Sequence, residues 1–93
     1  MLFSEKEIMD KLSNFPGWTI ESKALMKQFH VKDFVTALRL VNSAGEIAEE
    51  LNHHPDVLIH GWNNVKFMIS THDAGGITSK DFELIQRIEK LKI

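Results

Sequence analysis

The stretch Glu-Glu-Leu-Asn-His-His-Pro-Asp, residues 49–56, sets two imidazoles side by side where a helical pattern stops. Histidine is the side chain whose ordinary titration lies near neutral pH, so a doublet offers a proton donor and a proton acceptor together. Glu49 and His53 are four residues apart, which makes them neighbours on one helix face and charge partners. A helix C-terminus adds further negative potential at His53. His72 ends a strand pattern and enters the loop Asp73-Ala74-Gly75-Gly76, a usual place for functional groups. Cysteine and tyrosine are both missing, so histidine and carboxylate chemistry dominates what the chain could do.

Each of these residues also has a plainer reading. A Glu-His pair at a helix end is often only a solvated cap, and spacing alone leaves both readings open. His30 and His60 read as ordinary strand residues, and Trp18 and Trp62 as core or rim packing. Asp81 reads first as a helix cap and second as a catalytic carboxylate. Glu49, His53 and His72 could form a two-histidine, one-carboxylate metal set. No H-E-x-x-H motif supports that, so it ranks below acid–base chemistry. Gly75-Gly76 has neither dinucleotide-binding nor P-loop spacing and reads as a turn.

The elements that must position these groups follow from capping and periodicity. Ser4-Glu5-Lys6-Glu7 has the form of a capping box, with Phe3 and Ile8 placed as a hydrophobic staple, and predicts a helix to Leu12. Phe15-Pro16-Gly17 breaks it. Residues 18–21 and 24–31 read as a hairpin around Ser22-Lys23. Asp33 caps a longer helix to Leu51, with Phe34, Leu38, Val41, Gly45 and Ala48 as its apolar stripe and Ala37, Ala44 and Leu51 beside it. Pro55 stops the helix and forces His54 to an extended conformation. Residues 57–60 and 65–71 predict a second hairpin. Val65, Phe67, Ile69 and Thr71 alternate with Lys66, Met68, Ser70 and His72, so strict alternation turns His72 away from His53 unless a bulge or strand end intervenes. Thr78-Ser79-Lys80-Asp81 starts a third helix carrying Phe82, Leu84, Ile85, Ile88 and Leu91. The order α-β-β-α-β-β-α predicts an α+β fold: a four-stranded antiparallel sheet with three helices on one face.

Composition narrows the class. The 93 residues, 43% hydrophobic and 26% charged, suit one globular domain over residues 1–93. The formal net charge of -2 and scattered basic residues argue against a direct nucleic-acid binder. No apolar run approaches a membrane span. The N-terminus carries acidic residues where a signal peptide has its apolar region. These readings predict a soluble, cytoplasmic protein. A chain of this size with an open sheet predicts a homodimer or homotetramer that covers the sheet edges.

The His53-His54-Pro55-Asp56 block, followed by a strand and then Ser70-Thr71-His72-Asp73, resembles the pterin-4a-carbinolamine dehydratase family. Residues 27–34 (KQFHVKDF), Gly17-Trp18, and Ala74-Gly75-Gly76-Ile77-Thr78 with Asp81 extend the resemblance over nearly the whole chain. Asp73 stands where some members have glutamate. The resemblance implies dehydration of 4a-hydroxytetrahydropterin to quinonoid dihydropterin, a pterin-recycling step that needs no cofactor and no metal. It implies His53, His54 and His72 around a reduced pterin substrate, with Glu49 supporting His53. Pro55, Ser70, Thr71 and Asp73 would bind substrate, and Asp81 and Trp18 are candidate supports. The rival reading is a protein-interaction module acting as a dimerisation cofactor, or a member with lost or altered activity.

Overall fold

Ser4 begins the first helix, α1 (Glu5–Leu12), as its sequence predicts. Its hydroxyl accepts the Glu7 N–H at 3.2 Å, and the Glu7 carboxylate accepts the Ser4 N–H at 2.7 Å. The computed structural model describes residues 2–92. After α1 come β1 (Thr19–Glu21), β2 (Ala24–His30), α2 (Phe34–Leu51), β3 (Asp56–His60), β4 (Asn64–Ile69), a 3₁₀ turn (His72–Ala74) and α3 (Ser79–Glu89). The sheet is antiparallel throughout, in the order β1-β2-β4-β3. The expected α+β order is therefore the observed one.

Register decides which face of the sheet is buried. Leu25 pairs with Ile69 and Phe29 with Val65, and the second pair continues to Ile59 on β3. Leu25, Val65, Phe67 and Ile69 have no exposed surface. They join Ile8 and Leu12 of α1, Leu40 and Ala44 of α2, and Phe82 and Ile85 of α3 in one core on one side of the sheet. Burying a side chain of this size contributes about 1.5–3 kcal/mol. Met26, Met68, Gln28 and Lys66 alternate onto the opposite face.

The structure corrects the expected face of α2. Thr36, Ala37, Leu40, Ala44, Ile47 and Ala48 are buried, whereas Phe34 and Leu38 of the expected stripe are exposed. This helix is apolar around more than half its circumference, so periodicity offers two stripes. Packing selects the one with alanines at 37 and 44, whose small side chains share the core with Phe67 and Ile69, and of the expected stripe Ala48 is also buried. Strand boundaries also differ: β1 starts at Thr19, β2 ends at His30, β3 starts at Asp56, and β4 runs over Asn64–Ile69 instead of reaching Thr71. No helix among the described residues is long and apolar enough to cross a membrane.

Candidate active site

The end of α2 sets the positions of the two adjacent histidines. Asn52 takes the left-handed conformation (φ 49°, ψ 44°) and donates its N–H to Glu49 O at 3.2 Å. The His53 N–H reaches back to Ala48 O at 3.0 Å. Together these bonds form a Schellman closure, with asparagine in the place glycine usually takes. The helix therefore stops before His53, and the sequence-based spacing between Glu49 and His53 no longer holds. His53 turns inward, 9% exposed, and its Nε2 lies 2.6 Å from Asp81 Oδ1. His54 turns outward, and its Nε2 lies 2.5 Å from Glu49 Oε2. Glu49 is thus the partner of His54 and not of His53, a correction to the expected pairing. The buried carboxylate that holds His53 is Asp81, whose cap-first reading ranked this role second.

His72 arrives from the other side by a strand end. β4 stops at Ile69, and the chain then closes a small loop in which the Thr71 N–H bonds Gly76 O at 2.9 Å. Gly75, at φ +75°, donates its N–H to His72 O at 3.0 Å. A left-handed residue is needed there to end the 3₁₀ turn, and glycine meets it without strain. The turn breaks the two-residue alternation, so His72 reaches the same cleft as the histidine doublet.

That cleft has a volume of about 300 Å³, at the lower end for small-molecule sites. His53, His54, His72, Ser70, Thr71 and Asp73 line it, as the sequence reading grouped them. Asn52 and Lys80 also line it, and neither was anticipated. Lys80 carried a signal that could have been read. A cation in the first turn of a helix opposes the dipole, so its placement asks for a reason beyond the helix itself. Asp81 lies behind the cleft wall, and three other anticipated residues also lie off it. Pro55 is half-buried and serves to hold His54 extended before β3. Glu49 reaches only His54. Trp18 is a core residue, 4% exposed, stacked edge-on to Phe29, with its Nε1–H donated to Glu89 Oε2 at 2.9 Å. Its packing reading is the correct one, and its supporting role is withdrawn.

Two further histidines stand apart. His30 Nδ1 lies 3.0 Å from Asn64 Oδ1, and His60 Nε2 lies 2.7 Å from Gln28 Oε1. Both occupy the outer face of the sheet, in register with Asn64, as ordinary strand residues.

The cleft thus holds three imidazoles whose free nitrogens can give or take protons. Behind it, Asp81 also receives the Thr71 hydroxyl and the Thr78 N–H, each at 2.8 Å. The family model for pterin 4 alpha carbinolamine dehydratase matches residues 1–91. The chain belongs to the pterin-4a-carbinolamine dehydratase family. A relative from Sulfurisphaera tokodaii, provisionally named as such a dehydratase, is 42% identical over 95% of this chain and 94% of its own. A similarly named relative from Nostoc is 42% identical over 97% of this chain and 96% of its own. The crystal structure of a Brucella melitensis protein titled a transcriptional coactivator/pterin dehydratase superposes with a TM-score of 0.91 and 28% identity, covering 96% of each chain. A pterin dehydratase-like protein described as a RuBisCO assembly factor of the alpha-carboxysome shares the fold, with a TM-score of 0.62 and 14% identity over 77% of this chain and 82% of that one.

Proposed function

We propose that this member of the dehydratase family converts 4a-hydroxytetrahydropterin to quinonoid dihydropterin by histidine acid–base catalysis. The observation that supports this most is the convergence of His53, His54 and His72 from two separate chain segments on one cleft. In the reaction the C4a–O bond breaks and the hydroxyl, once protonated, leaves as water. The N5 proton passes to a base as the C4a–N5 double bond forms. Hydroxide is a poor leaving group, so delivery of a proton to it is the step the imidazoles assist. A positioned acid or base of this kind contributes about 10²- to 10⁴-fold. Backbone and side-chain groups of residues 70–73 hold the pterin ring. The reaction draws on no metal or organic cofactor, so turnover should persist in excess chelator. Loss of turnover restored by a divalent ion would contradict that. The same reading places the reaction in the cytoplasm.

Equilibrium titration with a stable reduced pterin, followed by amide and imidazole chemical shifts, tests the site. The expected result is a saturable response at residues 52–54, 70–73 and 80, with His30 and His60 unmoved. A response centred on the outer sheet face would overturn the assignment.

A second reading concerns association. Phe34, Val35 and Leu38 form an exposed apolar strip on α2, 48%, 56% and 41% exposed. A strip of this kind on a small domain favours assembly into a homodimer or homotetramer. Sedimentation of wild type against Leu38→Glu should show an assembly that the variant weakens. A wild-type monomer at micromolar concentration would remove this reading.

A further inference from the structure

We propose that Thr78 and Thr71 form a one-way hydroxyl relay that fixes Asp81 as a pure acceptor and thereby sets which nitrogen of His53 meets the ligand. The order of protons follows from counting donors. Among the described residues, the Thr78 hydroxyl oxygen faces backbone N–H donors, that of Lys80 at 3.3 Å and that of Asp81 in the capping box, and the Thr71 hydroxyl at 2.8 Å. An N–H cannot accept, so the single Thr78 hydroxyl proton points at Thr71 Oγ1. Thr71 then accepts from Thr78 and places its own proton on Asp81 Oδ2, 2.8 Å away. That same oxygen receives the Thr78 N–H at 2.8 Å.

With two donors aimed at Oδ2, that oxygen has no room for a proton of its own, and the one proton between Oδ1 and Nε2 is assigned to the imidazole, so that Asp81 meets His53 as a carboxylate. Oδ1 therefore accepts, and His53 Nε2 donates across 2.6 Å. The other ring nitrogen, Nδ1, has no hydrogen-bond partner among the described residues. None of the described buried side-chain nitrogens or oxygens lacks a partner, so Nδ1 is open, and the surface His53 offers is on the cleft. Nδ1 is the atom that exchanges a proton with the ligand. Thr71 and Thr78 are positioning residues that act through Asp81. The helix cap of α3 and the orientation of the inner histidine become one structure, so the ring cannot turn without loosening the cap.

The catalytic consequence rests on the dehydratase reading, whereas the hydrogen-bond order does not, and the experiment separates them. The ¹⁵N-resolved proton on His53 Nε2 is followed in wild type, Thr71→Val and Thr71→Ser. Thr71→Ala, which only removes atoms, serves if valine disturbs the turn. The expected result is a downfield, slowly exchanging proton in wild type and Thr71→Ser that moves upfield and exchanges faster in Thr71→Val or Thr71→Ala. Loss of one hydrogen bond to a charged group should lower kcat about tenfold, and kcat should be restored in Thr71→Ser. An Nε2 proton unchanged in Thr71→Val and Thr71→Ala overturns the relay. An Nε2 proton that moves as expected in a protein with no pterin turnover upholds the relay and removes the dehydratase reading.

Discussion

Helices α1 and α3 open with the same device. In each a hydroxyl residue stands at the cap and an acid three residues later reaches back to its N–H, Ser4 with Glu7 and Thr78 with Asp81. Their settings differ. The first box lies in solvent, where Glu7 touches Ser4 and does nothing more for the fold than complete a cap. The second is buried, and Asp81, with no exposed surface, also takes His53 and Thr71. Shielding from water and the presence of further donors turn a helix cap into the support of a histidine that lines the cleft. A capping motif in a sequence is therefore a statement about one helix until burial is known.

The largest effect that separates the two boxes should come from Asp81→Ala. Removing the acceptor leaves the inner imidazole and two buried donors unpaired, which costs about 3 kcal/mol or more. Urea denaturation should show that loss, and turnover should fall with it. Stability within 0.5 kcal/mol of wild type, on the order expected of an ordinary surface change, would mean the buried box carries no special load.

Next in size are the histidines of the cleft against those of the sheet. His54→Ala and His72→Ala should lower turnover by about 10²-fold or more while the circular dichroism spectrum is retained, because both side chains are exposed and no core volume is lost. His60→Ala should leave turnover within about twofold. Equal damage from His60→Ala would show that the outer sheet face takes part in the chemistry.

The smallest effect belongs to the exposed box. The backbone N–H and hydroxyl of Ser4 hold the Glu7 carboxyl below the ordinary glutamate range. A carboxyl depressed in the folded state contributes its full stability above the unfolded value, and that contribution is lost as pH falls through the folded value. Glu7→Gln should therefore lower the melting temperature slightly at neutral pH, and the difference from wild type should vanish in acid. Turnover should not change. A difference that grows as pH falls would contradict the cap assignment.

Much of this architecture was legible in the sequence. Ser4, Asp33 and Thr78 announced their helices because a cap is a local interaction, and the alternation of β4 announced its buried face. The face of α2 was not legible, since both stripes are apolar and only the close approach of alanines to the sheet chooses between them. The cleft histidines could be grouped from the resemblance. Their partners could not be assigned, because Asn52 in a left-handed conformation rotates everything after it. One residue's backbone state moved Glu49 from His53 to His54. His53 and Asp81 are 28 residues apart, a separation no local spacing rule reaches.

The most direct measurement is the rate of 4a-hydroxytetrahydropterin breakdown by stopped-flow absorbance, with wild type, His53→Ala and no protein compared in one buffer. The account predicts that wild type accelerates the decay well above the spontaneous rate and that His53→Ala loses about 10²-fold of that acceleration. A wild-type rate equal to the spontaneous one, or a His53→Ala rate equal to wild type, would contradict it.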